Sequence, residues 1–600
     1  MLIGFGVDVT AQNKDDWTLL HFASHSGQVE VARMLIDRGA NVTAQNKDGD
    51  TAIHLASHRG QVNAVHMLIK HGADVTAQNM VGNTPLHLVL CRGQVDVARM
   101  LIEHGGDVTT QNTDRDTPLY QALHQGQVDV VRMLIEHGAD VTARNKDGDT
   151  PLHLVSHQGR IDIAQMSHEG QLDVARMLIE HGADVTARNK DRDTPLHLAS
   201  YRGQVDVART LIEHGGDVTA QNTYSYTPLH LASHQGQVDV SRLLIEHGAE
   251  VTAQNKDGHT PLYLAWHQRQ FDVARMLINH GTDVTAQNED GDTLLHQASH
   301  WGQVDVARML IDRGVDVTAQ NSLGSTPLHL VSYHGHVDVA RMLIEHGANV
   351  TTQNKDGHAP LHLASYRGHV DITCMLIEHG ADVAAQNKDG DTPLHLASHQ
   401  GKVDVTRILI GHGADATAQN KDGDTPLHMG SYQGQVDVAR VLIEHGANVT
   451  AQNNDGDTPL HLALRQGQVN VAHMLIVHGV DVTTQNNDGD TPLHLALYQG
   501  QVDIARMLIE HGTDVTARNK FKETPLHLAS YRGQVDVARM LINHGADTTG
   551  QDKDGHTPLQ LALDHGQVDV VDMLHKHRAL ADATGRNNYG DVMTGIAWTS

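Results

Sequence analysis

Histidine is the side chain this sequence offers most freely for chemistry, with 48 in 600 residues. Fourteen stand fourth in a Thr-Pro-Leu-His tetrad or a variant of it, such as His87 and His395. Fifteen precede or replace a later turn, such as His104 and His445, and eight lie four residues after the first set, such as His58 and His399. In six places the first and third sets form His-x-x-x-His, for example His54/His58 and His230/His234. Residues four apart share a helical face, so such a pair could chelate zinc. No third ligand recurs nearby, however, and no glutamate adjoins the first histidine. The nearest approach to His-Glu-x-x-His is His168-Glu169, where Leu172 replaces the second histidine. The Asn-Lys-Asp-Gly-Asp segments resemble calcium loops only superficially. Ala44 stands five before Gly49, where an acid is required, and Leu55 six after it, where a bidentate glutamate is required. The one Gly-Lys pair, Gly401-Lys402, continues into Val403 rather than a phosphate-loop hydroxyl, and GxSxG and CxxC are missing. No catalytic residue, cofactor or metal site is expected. A pH response remains open. With an ordinary pKa near 6.5, protonation of 28 of the 48 histidines would cancel the formal charge of −28 within about a pH unit of neutrality.

That charge, 44 Lys+Arg against 72 Asp+Glu, argues against nucleic acid as a partner, since phosphate backbones need a basic face. No apolar stretch approaches the ~18 residues that read as a bilayer span, so membrane insertion is not expected. The N-terminus lacks the charged and apolar regions of a secretory signal. Cys91 and Cys374 are the only cysteines, too few for a disulfide framework or a four-thiolate zinc site. A cytoplasmic or other reducing intracellular compartment is the expected location. Hydrophobic residues at 39% suffice for a core, although aromatics are only 3%.

The elements that position the histidines recur with a fixed period. KDGDTPLHLASHQGKVDVTRILIGHGADATAQN begins at Lys388, and a nearly identical segment begins 33 residues later at Lys421. The unit runs in seventeen copies from Lys14 to His577. Thr392 suits a helix N-cap and Pro393 the first helical position. Leu394, Leu396 and Ala397 make a short apolar stripe, which Gly401 ends. A second helix through Val403, Val405, Leu409 and Ile410 stops at Gly413. The β-prone stretch that follows, with its Lys421-Asp422-Gly423 tip, predicts an extended, hairpin-like finger. Neither helix can bury its face alone, so the copies must stack.

The unit resembles the ankyrin repeat family, on its 33-residue length and on Thr-Pro-Leu-His at Thr84 to His87, repeated at Thr194, Thr227, Thr326, Thr392, Thr425, Thr458, Thr491 and Thr524. The resemblance covers residues 14–577. It implies an α-solenoid of stacked helix-turn-helix units with β-hairpin-like fingers, forming a curved superhelical rod. First helices and fingers would line a concave groove, and the tetrad histidine would be structural.

Residues 1–13 match only the second half of a unit. They could be an improvised cap or mark a fragment of a longer product. Residues 578–600 fit no unit and are expected to be a tail. An 11-residue tandem duplication, SHQGRIDIAQM followed by SHEGQLDVARM, spans 156–177. It predicts an inserted helical segment and a local break in stacking.

The copies differ most at the finger tip and at the two positions after the first helix. The scarce aromatics gather there: Tyr201, Tyr333, Tyr366, Tyr432, Tyr498 and Tyr531 at one position, Tyr224, Tyr226 and Phe521 on tips, and Trp266 and Trp301 at helix ends. With Arg367 and Arg532 they are the candidate partner-binding residues, because Tyr, Trp and Arg dominate protein-interface hot spots. The resemblance places them in the groove. The expected function is a non-enzymatic scaffold or adaptor that binds other proteins. The alternative is the recognition or sensor array of a larger effector whose catalytic or membrane domain lies outside this chain.

Overall fold

Each copy begins with a threonine held in extended backbone. Thr392, at φ −87° and ψ 165°, starts the helix Pro393–His399, in which Leu394, His395, Ala397 and Ser398 are buried. Proline at the first position costs no hydrogen bond, because that N–H has no intrahelical acceptor. Glycine ends the first helix where the chain must turn left-handed. Gly203 has φ +77°, and a side chain there would also strike the next copy's Gln237. The second helix is typically nine residues, as in Val403–Gly411, with Val405, Thr406 and Leu409 buried. Its outer face carries i,i+3 pairs such as Arg440–Asp437 at 3.8 Å, exposed and worth a few tenths of a kcal/mol at most.

The computed structural model describes residues 8–157 and 166–579. Residues 1–7 of the half-unit and 580–600 of the expected tail lie outside the described residues. The chain divides into two compact units, Met1–Asp283 and Val284–Ser600. Within each, first helices pack on the first helices of neighbouring copies and second helices on second helices. In the first unit, for example, Pro195–Arg202 packs on Pro228–Gln235. In the second, Pro393–His399 packs on Pro426–Gln433. The last described helix runs over 568–579. Among the described residues no helix is long and apolar enough to cross a membrane.

The fingers differ from expectation. No strand forms among the described residues; β pairing is limited to the isolated bridges Gln12↔Thr18 and Gln287↔Thr293. The physical reason is local. The Asp74 carboxylate accepts the backbone N–H (2.9 Å) and hydroxyl (2.7 Å) of Thr76, which bends the β-prone Asp-Val-Thr-Ala into a turn. Asn46 Oδ1 then accepts the N–H groups of Asp48 and Asp50, closing a second turn around Gly49. Side chains thus satisfy groups that a strand ladder would have used. At four tips, arginine, serine or lysine occupies the left-handed position instead of glycine, with Arg115, Arg192, Ser225 and Lys522 at φ between +58° and +62°. Such strain costs about 1–3 kcal/mol per site and must be held by the surrounding bonds.

The duplication leaves its neighbours in register. Ser167 caps a 13-residue second helix, His168–Glu180, so the described part of the insertion adds a turn to that helix's start. Residues 158–165 lie outside the described residues. Across the insertion, His153 still donates to the Asp193 carbonyl at 3.0 Å and Asn189 to Asp149 at 2.8 Å. These links span 40 residues, where the equivalent bonds of the common unit span 29. The expected stacking break is therefore not found at the finger base, where both bonds across the insertion persist.

Candidate functional site

Two sets of side chains could carry function: the tetrad histidines, and the residues at first-helix ends and finger tips. The first set is closed. Thr392 donates its backbone N–H to His395 Nδ1 at 3.1 Å, with its hydroxyl at 2.8 Å from the same nitrogen. Because Nδ1 accepts a peptide N–H, the proton sits on Nε2, which donates to the Asp424 carbonyl of the next copy at 3.0 Å. One imidazole thus caps its own helix and ties down the following finger. All fourteen tetrad histidines are buried. At position 359 alanine replaces the threonine, yet His362 keeps the N–H bond at 3.1 Å and its carbonyl partner Asp391.

This arrangement disposes of the His-x-x-x-His pairs. Both ring nitrogens of His54 are engaged, Nδ1 with Thr51 and Nε2 with the Asn83 carbonyl, so it cannot chelate with His58. Among the described residues no group of three or more His, Cys, Asp or Glu is placed to hold a metal. The second set of fifteen is also mostly committed: His71 Nδ1–H, for instance, caps the end of its helix on the Met67 carbonyl at 2.8 Å.

Burial also corrects the pH expectation. Desolvation holds the tetrad imidazoles below their ordinary value, and pushes His87, His197, His230, His329, His362, His428 and His494 down to about 4. In all, twenty of the 48 histidines are lowered, which leaves 28. These twenty take up protons only at a lower pH than the ordinary value assumes, so they do not help to cancel the formal −28 near neutrality.

The sequence reading missed Tyr120. It takes the tetrad position in one copy, is fully buried, and donates to the carbonyls of Ala143 and Asp149, as a histidine would. The signal was present as Thr117-Pro118-Leu119-Tyr120. Tyr263, at the same position, is instead exposed and stacks on His259 at 4.0 Å.

Most candidate binding residues lie at the surface. In the first unit, Tyr201 is half-buried with the Arg202 guanidinium 5.2 Å from its ring. Tyr224 is 60% exposed on its tip, and Tyr226 is half-buried beside His230. Trp266 is a correction. At 4% exposure it is a core residue, packed edge-on against Phe271 at 5.5 Å, because the large ring turns inward beneath its helix end. In the second unit, Trp301 is 38% exposed, and Tyr366 is half-buried. Arg367 lies over the Tyr333 ring at 4.7 Å, joining two copies by a cation–π contact. Tyr432 and Tyr531 are exposed, and Phe521 is exposed beside Lys520. Tyr498 donates to Glu523 at 2.7 Å, and Arg532 reaches the Tyr498 carbonyl at 2.7 Å. Helix ends of successive copies therefore touch side by side, which assembles single aromatics and arginines into rows within each unit.

Stacked helix pairs, tied copy to copy in most copies by a histidine and an asparagine, define a helical-repeat solenoid. The family model for ankyrin repeats, built from three copies, matches residues 1–79, 77–145, 163–255, 248–321, 315–387, 380–453, 448–519 and 512–585. The chain belongs to the ankyrin repeat family and is a long tandem array of it. Ankyrin repeats are general protein–protein interaction modules. No curated protein matches the chain.

Proposed function

We propose that this protein is a non-enzymatic scaffold in the cytoplasm that recruits other proteins through the groove formed by first-helix ends and finger tips. One observation carries the reading. Positions that bond copy to copy are nearly uniform, whereas most aromatic and arginine substitutions fall at surface positions, with Trp266 and Tyr120 buried exceptions. An array selected only for folding has no need of Tyr and Arg at these places, and both residue types supply much of the binding energy at protein interfaces. The acidic surplus argues against nucleic acid as the general partner.

Affinity capture from the native cell with wild type and with a Tyr333/Tyr366/Tyr498/Tyr531→Ala variant tests the reading. Partners retained by the wild type should be lost from the variant, with the helical circular dichroism unchanged. Equal recovery of the same partners by both proteins would overturn the groove assignment.

A further inference from the structure

Within the second unit, one copy has lost both acids that the common unit carries at its finger tip, and the next has lost one of them. The common tip is Lys-Asp-Gly-Asp, as at 388–391 and 421–424. At 322–325 it is Ser-Leu-Gly-Ser, without charge, and at 355–358 it is Lys-Asp-Gly-His. The same copies gain bases. His336 and His369 stand where most copies have glutamine, and each donates Nε2 to the carbonyl of the preceding copy's helix end, His300 (3.0 Å) and Tyr333 (3.1 Å).

These substitutions converge. The His300 and His334 rings are 4.2 Å apart, His334 and His336 stack at 6.0 Å, and Arg367 covers Tyr333 at 4.7 Å. The stem of Lys402 lies against Gly368, directly after Arg367. Trp301, edge-on to His300 at 4.5 Å, and Tyr333 supply apolar surface in the same row. Around His334 the groups of strongest effect are His300, His336, Arg367 and His369, all bases. The one carboxylate acting on His300 is Asp292. The second helix packed behind, Val337–Glu345, carries Asp338, Arg341 and Glu345, all exposed.

We propose that the row from His300 to Lys402 docks an acidic segment of a partner protein, with its carboxylates on the histidine–arginine cluster and an apolar side chain against Trp301 and Tyr333. This inference rests on the scaffold reading and names its partner class. Local charge complementarity carries it: in a chain of formal charge −28, the helix ends of successive copies bring His300, His334, His336, Arg367 and Lys402 into one row. The crowding adds a consequence. Burial and the neighbouring bases push His334 down to about 4, so His334 resists charging while the row is empty. Carboxylates set against it offset that repulsion and raise the histidine pKa values. Binding then takes up protons, and affinity rises as pH falls.

Fluorescence anisotropy on the full 600-residue protein tests this at low salt, with a fluorescein-labelled peptide in which a central leucine is flanked on each side by a run of glutamates. The peptide should bind at least tenfold more tightly than a counterpart with glutamine in place of every glutamate. Its affinity should rise at least threefold from pH 7.5 to 6.0. A His300→Gln/His334→Gln/Arg367→Gln variant should bind at least fivefold more weakly and lose the pH dependence. Arg308→Gln, which removes a charge from a second helix, should change neither. Absence of binding, equal binding by the triple variant, or tighter binding of an oligothymidylate of similar length than of the glutamate peptide would overturn the proposal. The two readings fail separately. Cellular partners that need the tyrosines yet bind the triple variant normally would sink the acidic-segment inference and leave the scaffold. Partners indifferent to the tyrosines would sink the scaffold reading itself.

Discussion

His329 and His334 lie five residues apart on one helix, and both are held near pKa 4 by burial first, though in different surroundings. His329 is sealed in: Nδ1 takes the Thr326 N–H at 3.0 Å and Nε2 donates to the His358 carbonyl at 3.0 Å. His334 is partly exposed and crowded by other bases. The first environment is fixed by the fold, and protonation can only break it. The second is open on one side, so a bound partner can change it. The same contrast runs through the array, between the uniform finger base and the variable helix ends.

Acid should separate the two regions most strongly. Unfolded histidine takes a proton near pH 6.5, whereas the seven tetrad histidines lowered to about 4 stay neutral in the fold until then. The unfolded chain binds more protons between these values. Stability is thus fully present above about pH 6.5 and is lost as pH falls toward 4, by up to ~1.4 kcal/mol per pH unit for each such histidine. Thermal melting from pH 7.5 to 4.5 should show a steep fall in midpoint, and a flat profile would contradict the buried neutral imidazoles.

The two tryptophans sharpen the contrast next. Trp266→Ala should cost about 3–5 kcal/mol of local stability as a core truncation, and Trp301→Ala no more than about 0.5. Hydrogen exchange at amides of the adjoining copies measures both, which suits an array whose unfolding is not a single two-state step. Similar costs would erase the distinction drawn between them. His428→Ala should cost roughly 3 kcal/mol by the same readout, since it strands the Thr425 N–H and the Asp457 carbonyl. Asn453→Ala should be milder, about 1–2 kcal/mol, despite losing bonds to Asp455, Asp457 and Asp424. Part of its surroundings is open to water, which can replace a partner.

Much of this was legible in the chain. The 33-residue period, the Thr-Pro start and the glycine stop placed both helices of each unit, because capping and short-range sterics act within a few residues. The finger was misjudged because β-propensity of Val and Thr lost to the Asp and Asn side chains beside them, as at Asp74 and Asn46. Trp266 was misjudged because spacing put it at a helix end beside surface positions, while the direction of a large ring depends on the space beneath it. Tyr120 was overlooked because one tetrad departed from the rule by a residue that can make the same bond.

The sequence by itself determined the repeat, the helix boundaries and the identity of the bonding positions, since each follows from contacts within one unit. Tertiary structure decided which histidines are closed and which are open, and that His300, His334, His336 and Arg367, spread over more than sixty residues, share one surface. Stacking alone brings corresponding positions of successive copies together, and the lowered pKa of His334 follows from the burial and the neighbouring bases that stacking creates.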